Sequence, residues 1–382
     1  MSINILHITD KKRSVENSIV DISDFSWTEG EEADVDFILR DNVSLYCLDH
    51  DHQRAVFVET PPDVNMSEAP FFYDAQYKYA QRLIAVPYAD FHQAAEQIKA
   101  GLDHLILLYS TGRCGSTLLS KAFAQINSVT SLSEPDVFSQ LVMMRPLDGS
   151  NDDQIRQLAK SSLAFLTQPV SPLSSQFHIL KLRSFGIEIG ELIYQILPSI
   201  KTLFLYRNAE DVIKSAVRAY SSLRIHYSSH ELCNNIEFLC RFTPLLKEYI
   251  QYIEGEPSVI DSEAISWLSV MHRYLVLYHK GHQIRGVRYE DLVREPHEIT
   301  QALLEYCAVP TDQSSIVSCV DNVFSKDAQQ GSLLSRDAYA DKEDAVHQVF
   351  EIQRKTSCLF REHPEITSAD CFLPGTITPS LQ

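Results

Sequence analysis

Basic charge is scarce in this sequence, and so are long apolar runs and paired cysteines. The 382 residues carry 33 Lys and Arg against 51 Asp and Glu, a formal net charge of −18. Residues 1–100 hold 8 basic and 18 acidic residues, so −10 of that charge falls there. A field of this sign repels nucleic acid and anionic lipid, and neither is expected as a partner. The longest apolar stretches, such as LILLY at 105–109, are far too short to span a bilayer. Eight cysteines are scattered without a CxxC pair, so they read as free buried thiols in a reducing compartment rather than a disulfide framework. No His/Cys/Asp cluster has metal-ligand spacing, and no metal is expected. The opening MSINILHITDKKRS puts charges where a signal peptide carries an apolar run, which points to the cytoplasm.

Hydrophobic residues make up 45% and charged residues 22% of the chain, a balance that supports a large core without staples. Residues 1–100 are expected to form an N-terminal extension or small subdomain of unknown role. Strand-like runs lie at VSLYCLDH (43–50) and RAVFVET (54–60), and a helix is expected through 89–100. From residue 102 the pattern changes. Buried strands at 102–109, 177–182, 201–207 and 282–289 alternate with helices at about 117–126, 151–167, 186–197, 209–221, 231–253, 262–280 and 297–307. Such near-continuous apolar strands need a sheet covered on both faces. The expected fold is therefore α/β, a doubly wound, mostly parallel sheet flanked by helices, over 101–340. Residues 341–382 are expected to form a C-terminal helix and a loose tail, with PGTITPSLQ at its end. Ligands of such sheets bind beyond the carboxyl ends of the strands.

Two motifs lie at those ends. The first, LLYSTGRCGSTLL at 107–119, runs from a buried strand through a glycine loop into a helix. Gly112 and Gly115 allow a tight turn whose amides converge, the helix start adds its positive dipole end, and Arg113, Ser116 and Thr117 supply side-chain donors. The loop suits a phosphate or sulfate. It is not a nucleoside-triphosphate loop of the GxxxxGK[ST] type, because Ser110 replaces the first Gly and Ser116 replaces the Lys. Cys114 is either a small space-filler or a thiol activated by Arg113 and the helix end. The second motif, RNAEDVIKS, starts at Arg207, where Asn208 and Asp211 are placed to cap a helix and Ser215 follows two turns on. Arg207 and Ser215 are expected to converge on a second anion.

These two motifs, in this order, resemble the family of sulfotransferases that use 3'-phosphoadenosine 5'-phosphosulfate (PAPS). The resemblance covers about residues 102–340 and leaves the first hundred residues without a counterpart. It implies that Gly112, Arg113, Cys114, Gly115, Ser116 and Thr117 form the 5'-phosphosulfate loop, that Arg207 and Ser215 bind the 3'-phosphate, and that Gln330, Gly331, Ser332 and Arg336, in KDAQQGSLLSR, close over the donor. The Tyr-Glu-Asp-Leu element at 289–292 is implied to frame the fold. The activity implied is metal-independent, in-line sulfuryl transfer to a hydroxyl or amine of a small-molecule acceptor.

That chemistry needs positive charge on the leaving phosphate and a base for the acceptor proton. One subgroup of the family carries Lys-x-His at the end of a central strand. Here the same place holds Lys181 and Arg183, so the base must come from elsewhere. A strand at 128–138 ends in Glu134-Pro135-Asp136, which nominates Glu134 first and Asp136 second. Glu134 can equally brace the pocket by pairing with Arg113 or Lys181. Lys181 is placed to stabilise the oxygen bridging sulfur and phosphorus. A small-molecule kinase using ATP and a non-catalytic nucleotide-binding scaffold are the alternatives. The missing Walker lysine and the missing Asp for Mg²⁺ speak against the kinase, and a scaffold would lack a working base.

Overall fold

A computed structural model gives the fold and describes residues 2–13, 18–66, 69–98, 101–168, 177–220, 234–253, 255, 257–325, 351–357, 361, 363–368 and 370–379. Five strands of the main sheet are parallel: β6 (Leu105–Ser110), β7 (Val129–Ser133), β8 (Phe177–Lys181), β9 (Lys201–Tyr206) and β10 (Ile284–Arg288), in the order β10-β9-β6-β8-β7. Side chains alternate across each strand. Leu105, Leu107 and Tyr109 of β6 enter one core, while Ile106 and Leu108 enter another. The second core is filled by α3 (Ser116–Ala124) and by the helices Pro296–Tyr306 and Gln313–Phe324. On the first face lie α4 (Val137–Met144), α5 (Asp152–Leu166), α6 (Gly190–Ile196), α7 (Ala209–Tyr220) and α8 (Val259–His279). Both faces of the parallel sheet are thus covered, as the apolar strand runs require.

A second, antiparallel sheet occupies the first hundred residues. Its strands are β1 (Ser2–Lys11), β2 (Phe25–Asp34), β3 (Val43–Asp49), β4 (Arg54–Glu59) and β5 (Arg82–Pro87), ordered β2-β1-β5-β4-β3. One face, with Ile5, Leu45, Phe57 and Ile84, joins the same core as α5 and the main sheet. The other, with Leu6, Tyr46, Val56 and Leu83, packs on Phe71 and Tyr73, which flank the start of α1 (Phe72–Tyr79). Helix α2 (Tyr88–Gln97) docks on α5. Buried polar bonds also cross: the Leu48 amide donates to Gln140 Oε1 at 2.7 Å, and the Val20 amide to Asp136 Oδ2 at 2.9 Å.

Several elements differ from the sequence reading. The continuous helix expected over 231–253 is, among the described residues, broken into short turns at Ile236–Leu239 and Leu246–Tyr249 and a 3-10 turn at Ile250–Tyr252, with Pro244 interrupting the pattern. The helix expected at 186–197 begins as a 3-10 segment, Ser184–Ile189, before α6. The end expected to be loose is instead docked: Ile377 donates to the Gly286 carbonyl at 2.9 Å, and Tyr274 Oη to the Pro374 carbonyl at 2.6 Å. Gly286 makes room for this, since a Cβ there would lie 2.6 Å from Thr376 Oγ1. No described helix is long and apolar enough to cross a membrane.

Candidate active site

Parallel strands put their carboxyl ends on one side, and the candidate residues follow those ends. Ser110 closes β6 and leads into the glycine loop. Glu134 follows β7, Lys181 closes β8, Arg207 follows β9 and Tyr289 follows β10.

Three of the four loop residues from 112 to 115 have positive φ: Gly112 at 73°, Arg113 at 48° and Gly115 at 83°. Arginine rarely adopts that region, and its strain marks a backbone held for a purpose. Gly115 is required twice over, since a Cβ would also lie 2.8 Å from Tyr289 Cε2. Helix α3 then starts without a side-chain cap, with the Ser116 and Thr117 side chains buried beside it. Left-handed residues just before a helix N-terminus are a setting in which backbone amides and the helix dipole can hold an anion. Cys114 points away into the core and donates through Sγ to the Leu205 carbonyl at 3.2 Å. Burial pushes its thiol up, so it serves as a space-filler and not as an activated nucleophile.

Arg113 Nε donates to Ser215 Oγ at 3.0 Å, although the two are 102 positions apart. This brings the two anion motifs to one place. Arg207 lies on the same side, with its guanidinium 4.6 Å from the Tyr289 ring centroid and Nη2 3.0 Å from Asp211 Oδ2. The turn before α7 is fixed as the sequence suggested: the Asp211 amide donates to Asn208 Oδ1 at 2.9 Å, and Asn208 Nδ2 donates back to Asp211 Oδ2 at 3.0 Å. Glu290 braces it by accepting from Asn208 Nδ2 at 2.9 Å. Ser215 thus bonds the loop arginine, where convergence with Arg207 was expected.

Glu134, at a φ of 60°, sits in the left-handed region; it does not continue the strand. Lys181 Nζ donates to Glu134 Oε1 and, at 3.3 Å, to Ser133 Oγ. The bracing pair that the sequence allowed is thus formed. Asp136 is fully buried and lies 2.7 Å from Arg183 Nε, while Arg183 Nε stands 3.9 Å from Glu134 Oε2. Asp136 is committed to Arg183 and to the Val20 amide, which leaves Glu134 as the partly exposed carboxylate of the two.

The sequence reading passed over two groups. Tyr289 is not merely part of the frame: its ring lies between Gly115 and Arg207. Glu263, on α8, has its carboxyl pushed up to about 7 by burial, with the charge of Arg113 opposing the shift. It is half-buried, three positions after the buried Ile260 and four before the buried Trp267, a spacing that could have revealed it. Gln330, Gly331, Ser332 and Arg336 lie outside the described residues. Among the described residues, no group of three or more His, Cys, Asp or Glu could hold a metal ion.

Comparison with solved structures finds a sulfotransferase from Mycobacterium avium, 11% identical, covering 75% of this chain and 84% of that one with a TM-score of 0.40. A Mycobacterium tuberculosis sulfotransferase is also 11% identical, covering 70% and 82% with a TM-score of 0.41. A mouse sulfotransferase complexed with PAP is 13% identical, covering 73% and 90% with a TM-score of 0.38. These superpositions are loose. No curated protein matches the chain. The family model described as the sulfotransferase domain matches residues 103–360, well over half of the 382 residues. On that match, carried by the segment that holds both anion motifs, the chain belongs to the sulfotransferase family.

Proposed function

We propose that the chain transfers a sulfuryl group from PAPS to a hydroxyl or amine of a small molecule, without a metal. The observation that carries this reading is the 3.0 Å bond from Arg113 Nε to Ser215 Oγ, which joins a phosphate loop to a second anion motif. A donor with phosphates on the 3' and 5' positions of one ribose suits two such motifs set side by side. The loop amides of 112–117 and Arg113 hold the 5'-phosphate, and Arg207 with Ser215 holds the 3'-phosphate. The acceptor oxygen or nitrogen attacks sulfur as the bond from sulfur to the 5'-phosphate oxygen breaks. Lys181 offsets the charge arriving on that oxygen, and Glu134 takes the acceptor proton. A reducing, cytoplasmic setting accords with six buried free cysteines among the described residues.

Thermal shift tests the donor. Adenosine 3',5'-bisphosphate is expected to stabilise the protein progressively, with the logarithm of its concentration above Kd, and ATP with Mg²⁺ is not. Stabilisation by Mg-ATP alone would replace this reading with a kinase.

A further inference from the structure

The cationic side of the catalytic cluster is covered by the N-terminal sheet unit. Lys181 Nζ lies 5.5 Å from the ring centroid of Phe71. Phe71 stacks on Tyr73, with centroids 5.7 Å apart and ring planes at 21°. Tyr73 in turn receives two guanidinium groups, Arg183 at 4.5 Å and Arg13 at 4.8 Å. The same unit grips the cluster through its backbone. Arg183 Nη2 donates to the Ser18 carbonyl at 3.2 Å, and the Val20 amide donates to Asp136 at 2.9 Å. Phe71 is 7% exposed, Tyr73 2% and Lys181 2%, so this contact is dry.

An ammonium left in a dry site needs partners on every side. Ser133 and Glu134 supply hydrogen bonds from the main sheet, and the face of Phe71 supplies the third contact from the N-terminal unit. Arg183, fixed by Asp136 and Tyr73, stands behind Glu134. The second sheet therefore acts on the pair that faces the sulfuryl group, although it sends no residue to the glycine loop among the contacts described above.

We infer that Phe71 and Tyr73 are positioning residues of the transfer centre, an aromatic ladder by which the N-terminal unit sets Lys181 and Arg183 for the sulfuryl end of the donor. This rests on the donor reading proposed above. It deepens that reading by dividing the labour: the anion motifs recognise adenosine bisphosphate, and the N-terminal unit governs how the enzyme handles the sulfuryl group attached to it.

The test compares two ligands in the full-length protein by titration calorimetry, without acceptor: adenosine 3',5'-bisphosphate and PAPS. Phe71→Leu and Tyr73→Leu are expected to leave adenosine bisphosphate affinity within about two-fold while lowering the preference for PAPS over adenosine bisphosphate by about five- to ten-fold. Phe71→Tyr and Tyr73→Phe, which keep the ring faces, restore that preference. Phe71→Met fills the volume without a ring and gives the same reading if Phe71→Leu does not fold. An unchanged preference in the folded variants overturns the inference. So does an equal loss for both ligands, which would mark the rings as structural support only. If the wild type binds neither ligand, it is the donor reading that fails.

Discussion

Glu134 and Lys181 are joined twice across the ends of β7 and β8. The Glu134 amide donates to the Lys181 carbonyl at 2.6 Å, and Lys181 Nζ donates to Glu134 Oε1. The backbone bond follows directly on the pairing of Ser133 with Lys181, and at Glu134 the chain leaves the strand through the left-handed region with its carboxylate on Lys181 Nζ. In the proposed mechanism a base and a cation held this way act as a unit. Lys181→Ala and Glu134→Gln are each expected to slow turnover of PAPS, and the double variant is expected to be little slower than the worse single one. Additive losses in a double-mutant cycle would show two independent roles.

Arg207 is proposed to hold the 3'-phosphate of the donor. It is steadied by Asp211 and Tyr289, while the cap of α7 depends on Asn208 and Asp211. Arg207→Ala removes a charged contact but leaves the cap. Affinity for adenosine 3',5'-bisphosphate is expected to fall by about 1–3 kcal/mol in calorimetry, with the melting temperature nearly unchanged. Unchanged affinity in the folded variant would remove Arg207 from the site.

Gly115 combines a φ of 83° with a tight approach to Tyr289. Gly115→Ala is expected to cost about 1–3 kcal/mol of stability in urea unfolding and to weaken adenosine bisphosphate, because the loop and Tyr289 must both move. A variant as stable as the wild type would mean that the loop tolerates another turn.

His178 lies in β8 of the main sheet, 6% exposed, and burial lowers its ring to about 4. The folded state therefore binds fewer protons than the unfolded chain between about pH 4 and 6.5. Stability from this group is complete above about pH 6.5 and falls on acidification, by about 2 kcal/mol at pH 5. Glu188 and Glu263, raised to about 6 and about 7, act in the opposite sense: their contribution is present at low pH and lost as pH climbs. His178→Gln isolates the first effect. The difference in unfolding free energy between wild type and variant is expected to narrow as pH falls from 7.5 to 5, and a constant difference would contradict it.

The main sheet was legible because its strands are apolar on both faces, and the glycine loop because Gly112, Arg113 and Gly115 sit directly after one of them. The cap at Asn208 and Asp211 could be read from local spacing alone. What stayed hidden depends on contacts between distant segments. Strands β1, β2 and β5 are recognised only once they pair, since β2 shows a mostly exposed, acidic face with no clean alternation. Ser215 finds Arg113 across 102 positions, and Phe71 meets Lys181 across 110, which no periodicity encodes. Helix α4 was missed because the turn before it hinges on the left-handed Glu134, where an extended strand end was expected.

Transfer of label from PAPS carrying sulfur-35 to a panel of phenols, alcohols and amines tests the central claim most directly, run on the wild type and Glu134→Gln in parallel. The wild type is expected to move label from the donor to at least one acceptor with adenosine 3',5'-bisphosphate as co-product. Glu134→Gln is expected to bind that nucleotide normally and to transfer about two to four decades more slowly. Label that stays on PAPS throughout the panel, with adenosine bisphosphate unbound and a phosphoryl group moved from ATP, would contradict sulfuryl transfer at this site. Near-normal transfer by Glu134→Gln would contradict the role given to its carboxylate.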